Sequence, residues 1–231
     1  MDERIVEVLS ALERRSLAEQ AELDALRAAG GSALREAAHR FMLDVGRETG
    51  LLLNMLVRCS NARVVVEVGG SVGYSTLWLA EAARANGGKV LSFETNAQKR
   101  KEQRENLEAA GLAGVVDQIA DEPPAVIPSL EGPLDFVFLD HWKELYVREL
   151  DLCWPKLRPG GLVAADNIVV PAKNAEQIRA YLARVRGLPG ARTTTLPVGS
   201  GLEITLRLAP PHEHPDPKAQ APTTGGTSGT P

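Results

Sequence analysis

The sequence is short of the features that mark several large classes of protein. Its two cysteines, Cys59 and Cys153, are too few and too far apart for a disulfide framework or a structural zinc. A reducing cytoplasm fits that usage. Neither sign of charge dominates, since 26 basic against 30 acidic residues leave −4. The bases are interleaved with acids, as in Lys99-Arg-Lys-Glu-Gln-Arg-Glu105. That is the pattern of a solvated helix face, not of a nucleic-acid footprint. No run approaches the ~18 apolar residues of a membrane span. The charged start, Met-Asp-Glu-Arg, has no apolar segment behind it, so no signal peptide is expected. There is no internal repeat. The expectation is a soluble, cytoplasmic protein long enough to bury one full core.

What is present is an alternation of two rhythms. Residues 2–59 carry apolar positions at helical spacing, among them Ile5, Val8, Leu9 and Leu12. Gly30-Gly31 interrupts the pattern, Ser32 is placed to cap a helix reaching about Arg40, and Gly46 precedes a helix over Arg47–Cys59. From Arg63 short β-branched runs take over: Val64–Val68, Lys89–Phe93, Val115–Ala120, Leu134–Leu139 and Leu162–Ala165. Helical segments lie between them, at about 74–86, 97–110, 124–130, 143–157 and 174–188. Alternation of this kind predicts an α/β fold with a doubly wound, mostly parallel sheet. The last runs, Arg192–Leu196 and Leu202–Leu208, stand too close for a helical crossover and predict an antiparallel hairpin at one side. Three regions follow: a helical cap or lid over 1–60, the α/β domain over 61–208, and a Pro/Thr/Gly-rich tail over 209–231 that cannot bury a core.

Open α/β sheets take ligands beyond the carboxyl ends of their strands. The run Phe136–Leu139 stops at Asp140-His-Trp-Lys143, and the next run stops at Asp166-Asn167. On neighbouring parallel strands these residues converge. Singly, Asp140 suits a helix cap and Asp166-Asn167 a turn; together they favour a site. The first strand runs into Glu67-Val-Gly-Gly-Ser-Val-Gly-Tyr-Ser-Thr76. Glycines here let a ligand approach the backbone at a helix N-terminus. Neither Gly69/Ser71/Tyr74 nor Gly70/Val72/Ser75 meets the dinucleotide spacing, which disfavours a nicotinamide oxidoreductase. An acid before the turn suits a cationic ligand better than a phosphate. Glu94, closing the second strand, stands where a ribose-binding acid stands.

These motifs resemble the class I S-adenosylmethionine-dependent methyltransferases. Leu139-Asp-His-Trp-Lys-Glu-Leu-Tyr146 with Ala165-Asp-Asn-Ile-Val-Val-Pro171 resembles more narrowly their metal-dependent small-molecule O-methyltransferases, catechol O-methyltransferase among them. The likeness spans about 42–208. It implies that Gly69, Ser75 and the backbone near Val45 hold the methionine part of the cofactor, with Glu67, Tyr74 and Asp140 among the other cofactor-binding residues. Glu94 then takes the ribose, and His141 and Trp142 lie by the adenine. Relatives carry small or amide residues at the adenine edge where this chain has Asp121, which departs from their pattern and is assigned to the adenine amino group. Asp140, Asp166 and Asn167 are hard oxygen donors suited to Mg²⁺ or a similar divalent cation. Lys143 is the candidate base, its ammonium form disfavoured by burial and an adjacent cation. Glu203 is implied to hold the second hydroxyl of a catechol-like acceptor. Trp142 and Pro171 form walls for its ring, with Met42 or Phe41 contributing from the lid. The expected partner is a small molecule, with neither nucleic acid nor membrane, on a monomer or homodimer. Rival readings are an O-methyltransferase for a larger vicinal diol or caffeoyl-type compound, and a non-catalytic cofactor-binding protein. Tyr146, Trp78 and Trp154 are read as packing residues, both cysteines as buried small hydrophobes, and His212 and His214 as tail.

Overall fold

The computed structural model describes residues 1–30, 32–169 and 174–209. Five parallel strands form the larger part of the sheet: β1 (Val64–Val68), β2 (Lys89–Phe93), β3 (Val116–Ile119), β4 (Leu134–Leu139) and β5 (Leu157–Ala165). β6 (Ala191–Leu196) and β7 (Leu202–Arg207) form the antiparallel hairpin expected, giving the order β3-β2-β1-β4-β5-β7-β6. The strand order reverses between β1 and β4, where an open α/β sheet parts to make a crevice.

Eight α-helices accompany it among the described residues: α1 (Glu3–Ala29), α2 (Ala33–Ala37), α3 (Arg47–Cys59), α4 (Tyr74–Ala85), α5 (Ala97–Ala109), α6 (Pro123–Val126), α7 (Tyr146–Cys153) and α8 (Ala175–Arg186). Strand alternation divides the core in two. Val65, Val90 and Phe136 pack with Ile5, Leu9, Leu53, Val57 and Leu77 from α1, α3 and α4. Val66, Val68, Val137 and Leu139 pack with Tyr146, Leu150, Ile178 and Tyr181 from α7 and α8. The N-terminal helices thus share a core with the sheet.

Several expectations need correction. Ser32 occupies the N-cap of α2 without a side-chain bond to the backbone; its hydroxyl donates to Glu36. The segments 124–130 and 143–157 are short α-helices flanked by 3₁₀ turns at Ile127–Ser129, Lys143–Leu145 and Trp154–Lys156. Prolines at positions 128 and 155 remove the N–H that a longer α-helix needs. β5 begins five residues early, because Asp135 collects that end of the sheet. It accepts from Arg63 N and Val64 N, both 2.7 Å, and from Arg158 Nε at 2.5 Å. Cys59 ends α3 exposed, unlike the buried Cys153. No described helix is long and apolar enough to cross a membrane. Pro171, most of the tail, and with it His212 and His214, lie outside the described residues.

Candidate active site

Three strands end side by side. Val68 pairs with Leu139, and Leu139 with Ala165. The next residues, Gly69, Asp140 and Asp166, therefore form one row. The row is stitched by Asp140 N–H donating to Val68 O at 2.9 Å and Asp166 N–H donating to Leu139 O at 3.0 Å. At Gly69, with φ +100°, a Cβ would stand 2.3 Å from the Asp140 carbonyl oxygen. At Gly70 it would stand 2.2 Å from Ser92 Oγ. These two glycines are required by packing against the protein itself, not only by a ligand.

Beneath the glycine turn Glu67 is fully buried and accepts 2.6 Å bonds from the hydroxyls of Ser75, Thr76 and Ser92. Gln103 Nε2 donates to Thr76 Oγ1 and Ser92 Oγ, completing the network. Burial pushes the Glu67 carboxyl above its ordinary range, and the hydroxyl bonds oppose the shift. Both oxygens are engaged, so Glu67 holds the turn and the start of α4 from below; its side chain does not line the crevice. The Ser75 hydroxyl is likewise committed. Tyr74 points its phenol at Glu13 of α1, 2.9 Å away, rather than at a ligand.

The crevice has two parts. One is a small cavity of about 20 Å³ lined by Gly69, Glu94, Asp121 and His141. Glu94 accepts from Ser71 N and Asn96 N at 3.0 and 2.8 Å. The other is a cleft of about 290 Å³ where Val45, Asp166 and Asn167 meet α1 and the β6–β7 turn. Gly69, Glu94, Asp121 and His141 are thus brought together on one side, and Val45, Asp166 and Asn167 on the other. Asp140 stands in the row between.

Asp166 is 2 % exposed. Asn167, in the left-handed region at φ +56°, donates from its amide nitrogen to Asp166 Oδ2 at 3.0 Å. Asn tolerates that backbone better than most residues. Asp166 Oδ1 is buried with no protein partner. Burial, and then the nearby Asp140 carboxylate, push Asp166 up to about 7. Burial raises Asp140 as well, against the opposing pull of Lys143. Lys143 is itself buried, with Nζ 2.6 Å from Tyr146 Oη, 3.1 Å from His141 O and 3.7 Å from Asp140 Oδ1. Burial lowers its pKa although the acids around it pull the other way. Among the described residues no three His, Cys, Asp or Glu side chains gather around a common point. The donor set here is two carboxylates and an amide. A buried, unpartnered carboxylate oxygen beside a second acid fits a hard cation.

Two helpers were not singled out as functional by the sequence reading. The Tyr146 phenol accepts from Lys143 and lies 2.9 Å from Leu139 O and 3.1 Å from Asp166 O, tying the candidate base to both strand ends. Fully buried Glu149 stands 3.2 Å from His141 Nδ1. Their spacing after Asp140, six and nine residues on, puts them on the sheet-facing side of α7. Trp142 is held from outside by the Arg35 guanidinium, 4.5 Å above its ring, and Arg35 also pairs with Glu144 at 2.6 Å.

Glu203 departs from its implied role. It pairs with Ala165 across the sheet but is fully buried, and its two oxygens accept from Thr193 and Thr195 of β6. Side-chain alternation sends it to the α8 face beside Tyr181, whose phenol is raised by burial and then by that carboxylate. Phe41 and Met42 are buried in packing at 3 % and 1 % exposure, so neither presents a free wall.

A family model described as a methyltransferase domain matches residues 66–168. A catechol O-methyltransferase of Niastella koreensis is 31 % identical over 154 residues, covering 65 % of this chain and 68 % of that protein. A caffeoyl-CoA O-methyltransferase of Eucalyptus globulus is 28 % identical over 194 residues, covering 73 % and 76 %. The crystal structure of a putative O-methyltransferase from Klebsiella pneumoniae superposes with a TM-score of 0.71 at 25 % identity, covering 90 % and 91 %. The sheet order, the turn after β1 and these likenesses agree, and the chain belongs to the class I S-adenosylmethionine-dependent O-methyltransferases.

Proposed function

We propose that the protein transfers a methyl group from S-adenosylmethionine to one hydroxyl of a catechol-like vicinal diol, with Mg²⁺ or a similar divalent cation. The observation that carries this is the buried, unpartnered Oδ1 of Asp166 next to Asp140 and Lys143. Asp140, Asp166 and Asn167 would hold the cation. A divalent ion bound to a phenol oxygen lowers its pKa from about 10 and fixes its direction. The sulfonium of S-adenosylmethionine supplies the methyl group.

The chain's own residues do the rest. Glu94, with Gly69 and His141, lines the side of the crevice where the nucleoside would lie, and the exposed Asp121 stands at its rim. Trp142, steadied by Arg35, would serve as a wall for the acceptor ring. Lys143 is positioned to take the hydroxyl proton at Nζ, because burial favours its neutral form and Tyr146 fixes where that nitrogen sits. Holding both reactants at attack distance supplies much of the acceleration. Residues 1–60 serve as a helical cap over a catalytic region at 61–208.

The caffeoyl-CoA O-methyltransferase likeness keeps a larger diol-bearing acceptor in view, with the same donors. The test is methyl transfer from labelled S-adenosylmethionine to catechols and monophenols, with Mg²⁺ and with EDTA. Turnover of catechols alone, lost with EDTA, is expected. Equal turnover of monophenols, or turnover that survives EDTA, contradicts the proposal.

A further inference from the structure

The 290 Å³ cleft is unusual in what forms its outer wall. Ser16, Gln20, Leu23 and Arg27 line it, all from α1. Their spacing, four, three and four residues, is that of one helix face. At 1.5 Å per residue the stripe runs about 16 Å, well beyond a single aromatic ring. Its two ends differ. The Ser16 hydroxyl donates to Asp44, and the same carboxylate accepts from Gly46 N–H at 2.8 Å, in the loop whose Val45 carbonyl lies against Gly199. That end belongs with Asp166 and Asn167. The other end is Arg27, the one cationic side chain lining the cleft among the described residues.

Arg27 and Gln20 are both steadied by Asp24, whose Oδ1 accepts from Arg27 Nη1 and Gln20 Nε2, each at 2.9 Å. A guanidinium carries five N–H donors, so one bond to Asp24 leaves a fork edge for another acceptor. Acid occupies the near end of the cleft, at Asp44 and Asp166, and base the far end. A cationic substituent on the acceptor gains nothing at Arg27, whereas a carboxylate gains a charge-assisted bond.

We infer that Ser16, Gln20 and Arg27 on α1 are specificity determinants that read the far end of an elongated acceptor, and that Arg27 selects an acceptor carrying a carboxylate away from its diol. This rests on the diol reading above and narrows it. It assigns the N-terminal helix a role in substrate choice, where packing alone calls only for Ile5, Leu9, Leu12 and Leu23.

The test is calorimetric binding of caffeate, catechol and dopamine to the full-length protein loaded with S-adenosylhomocysteine and Mg²⁺, so that affinity is read without turnover. Caffeate is expected to bind about five- to tenfold more tightly than catechol, a modest range because Arg27 is half-exposed. Arg27→Ala should remove the difference, and Arg27→Glu should place dopamine ahead of caffeate. Arg104→Ala, on an exposed position of α5, should leave the order as in wild type. Equal binding of caffeate and catechol, or a caffeate advantage that survives Arg27→Ala, overturns the assignment while leaving the diol chemistry standing. Failure of all three to bind overturns the diol reading with it. An Arg27-dependent caffeate advantage, with no methylation of caffeate once S-adenosylmethionine replaces S-adenosylhomocysteine, supports the α1 assignment and removes only the chemistry.

Discussion

Two buried acids stand at the carboxyl ends of β1 and β5, with β4 between them, and they are treated in opposite ways. Glu67 under the glycine turn receives three hydroxyl bonds and is closed from solvent. Asp166, two strands away, keeps one oxygen without a partner and a second acid beside it. Burying a carboxylate is tolerable when its lone pairs are filled, and costly when they are not. The first arrangement is architecture: it fixes where the turn and α4 begin. The second persists as a destabilising feature unless something else completes it, which is how functional sites differ from cores. Sequence alone makes the two look alike, since each is an acid at or near the end of a strand.

The unsatisfied acids should carry the largest effects. Asp166→Ala or Asp140→Ala should lower metal-dependent turnover more than about 100-fold, beyond the upper range for residues that merely support a metal ligand. Affinity for S-adenosylhomocysteine should stay within about threefold by calorimetry. Unchanged turnover in either variant removes the cation assignment. Tyr146→Phe removes the phenol oxygen that accepts from Lys143 Nζ. About a tenfold fall in kcat with KM near wild type is expected, one buried hydrogen bond's worth. A change confined to KM would make Tyr146 a packing residue only.

On the satisfied side, Glu67→Gln replaces a carboxylate that serves three donors by an amide with one acceptor oxygen. Leaving a buried hydroxyl unpaired costs about 1–3 kcal/mol. The melting temperature should fall by roughly 2–4 °C for each kcal/mol at this size. Loss of turnover without loss of stability would move Glu67 from support to chemistry.

The smallest effect sharpens the contrast through pH. Asp166 is raised to about 7 from an unfolded value near ~3.9. The folded state therefore binds more protons in that window, and its stability falls as pH rises from about 4 through about 7. A cation needs the deprotonated carboxylate. The melting-temperature gain from Mg²⁺ should be small near pH 5.5 and larger near pH 8. Asp135, which burial pushes up but the amides of Val64 and Arg63 and the Arg158 guanidinium together hold below its ordinary range, carries the opposite slope. Its contribution is present above the unfolded value and lost as pH falls through the lower folded one. The reading is therefore the Mg²⁺-dependent difference, which cancels Asp135. A gain independent of pH contradicts the role of Asp166.

Much of the fold was legible because its strands are short, β-branched and bounded by turn residues. Val64–Val68, Lys89–Phe93 and Leu134–Leu139 stand where the residues placed them. The early start of β5 was hidden because Pro159-Gly160-Gly161 reads locally as a loop; the long-range grip of Asp135 on Arg158 extends the strand. In the site, the row Asp140–Asp166–Asn167 was readable from strand ends, since parallel neighbours must bring those positions together. Glu203 was not, because only the hairpin register shows which face its side chain takes and which threonines it meets. Nor could the sequence show that one stripe of α1 borders the cleft, since Ser16, Gln20 and Arg27 on a helix look like any solvated face.

Under the proposed function, Asp140, Asp166 and Asn167 hold a divalent cation. Calorimetric titration of Mg²⁺ into the protein saturated with S-adenosylhomocysteine, at about pH 8, tests it most directly. One binding site in the wild type, absent in Asp166→Asn with cofactor affinity retained, is the predicted result. Equal Mg²⁺ binding by both proteins, or none by the wild type, contradicts it.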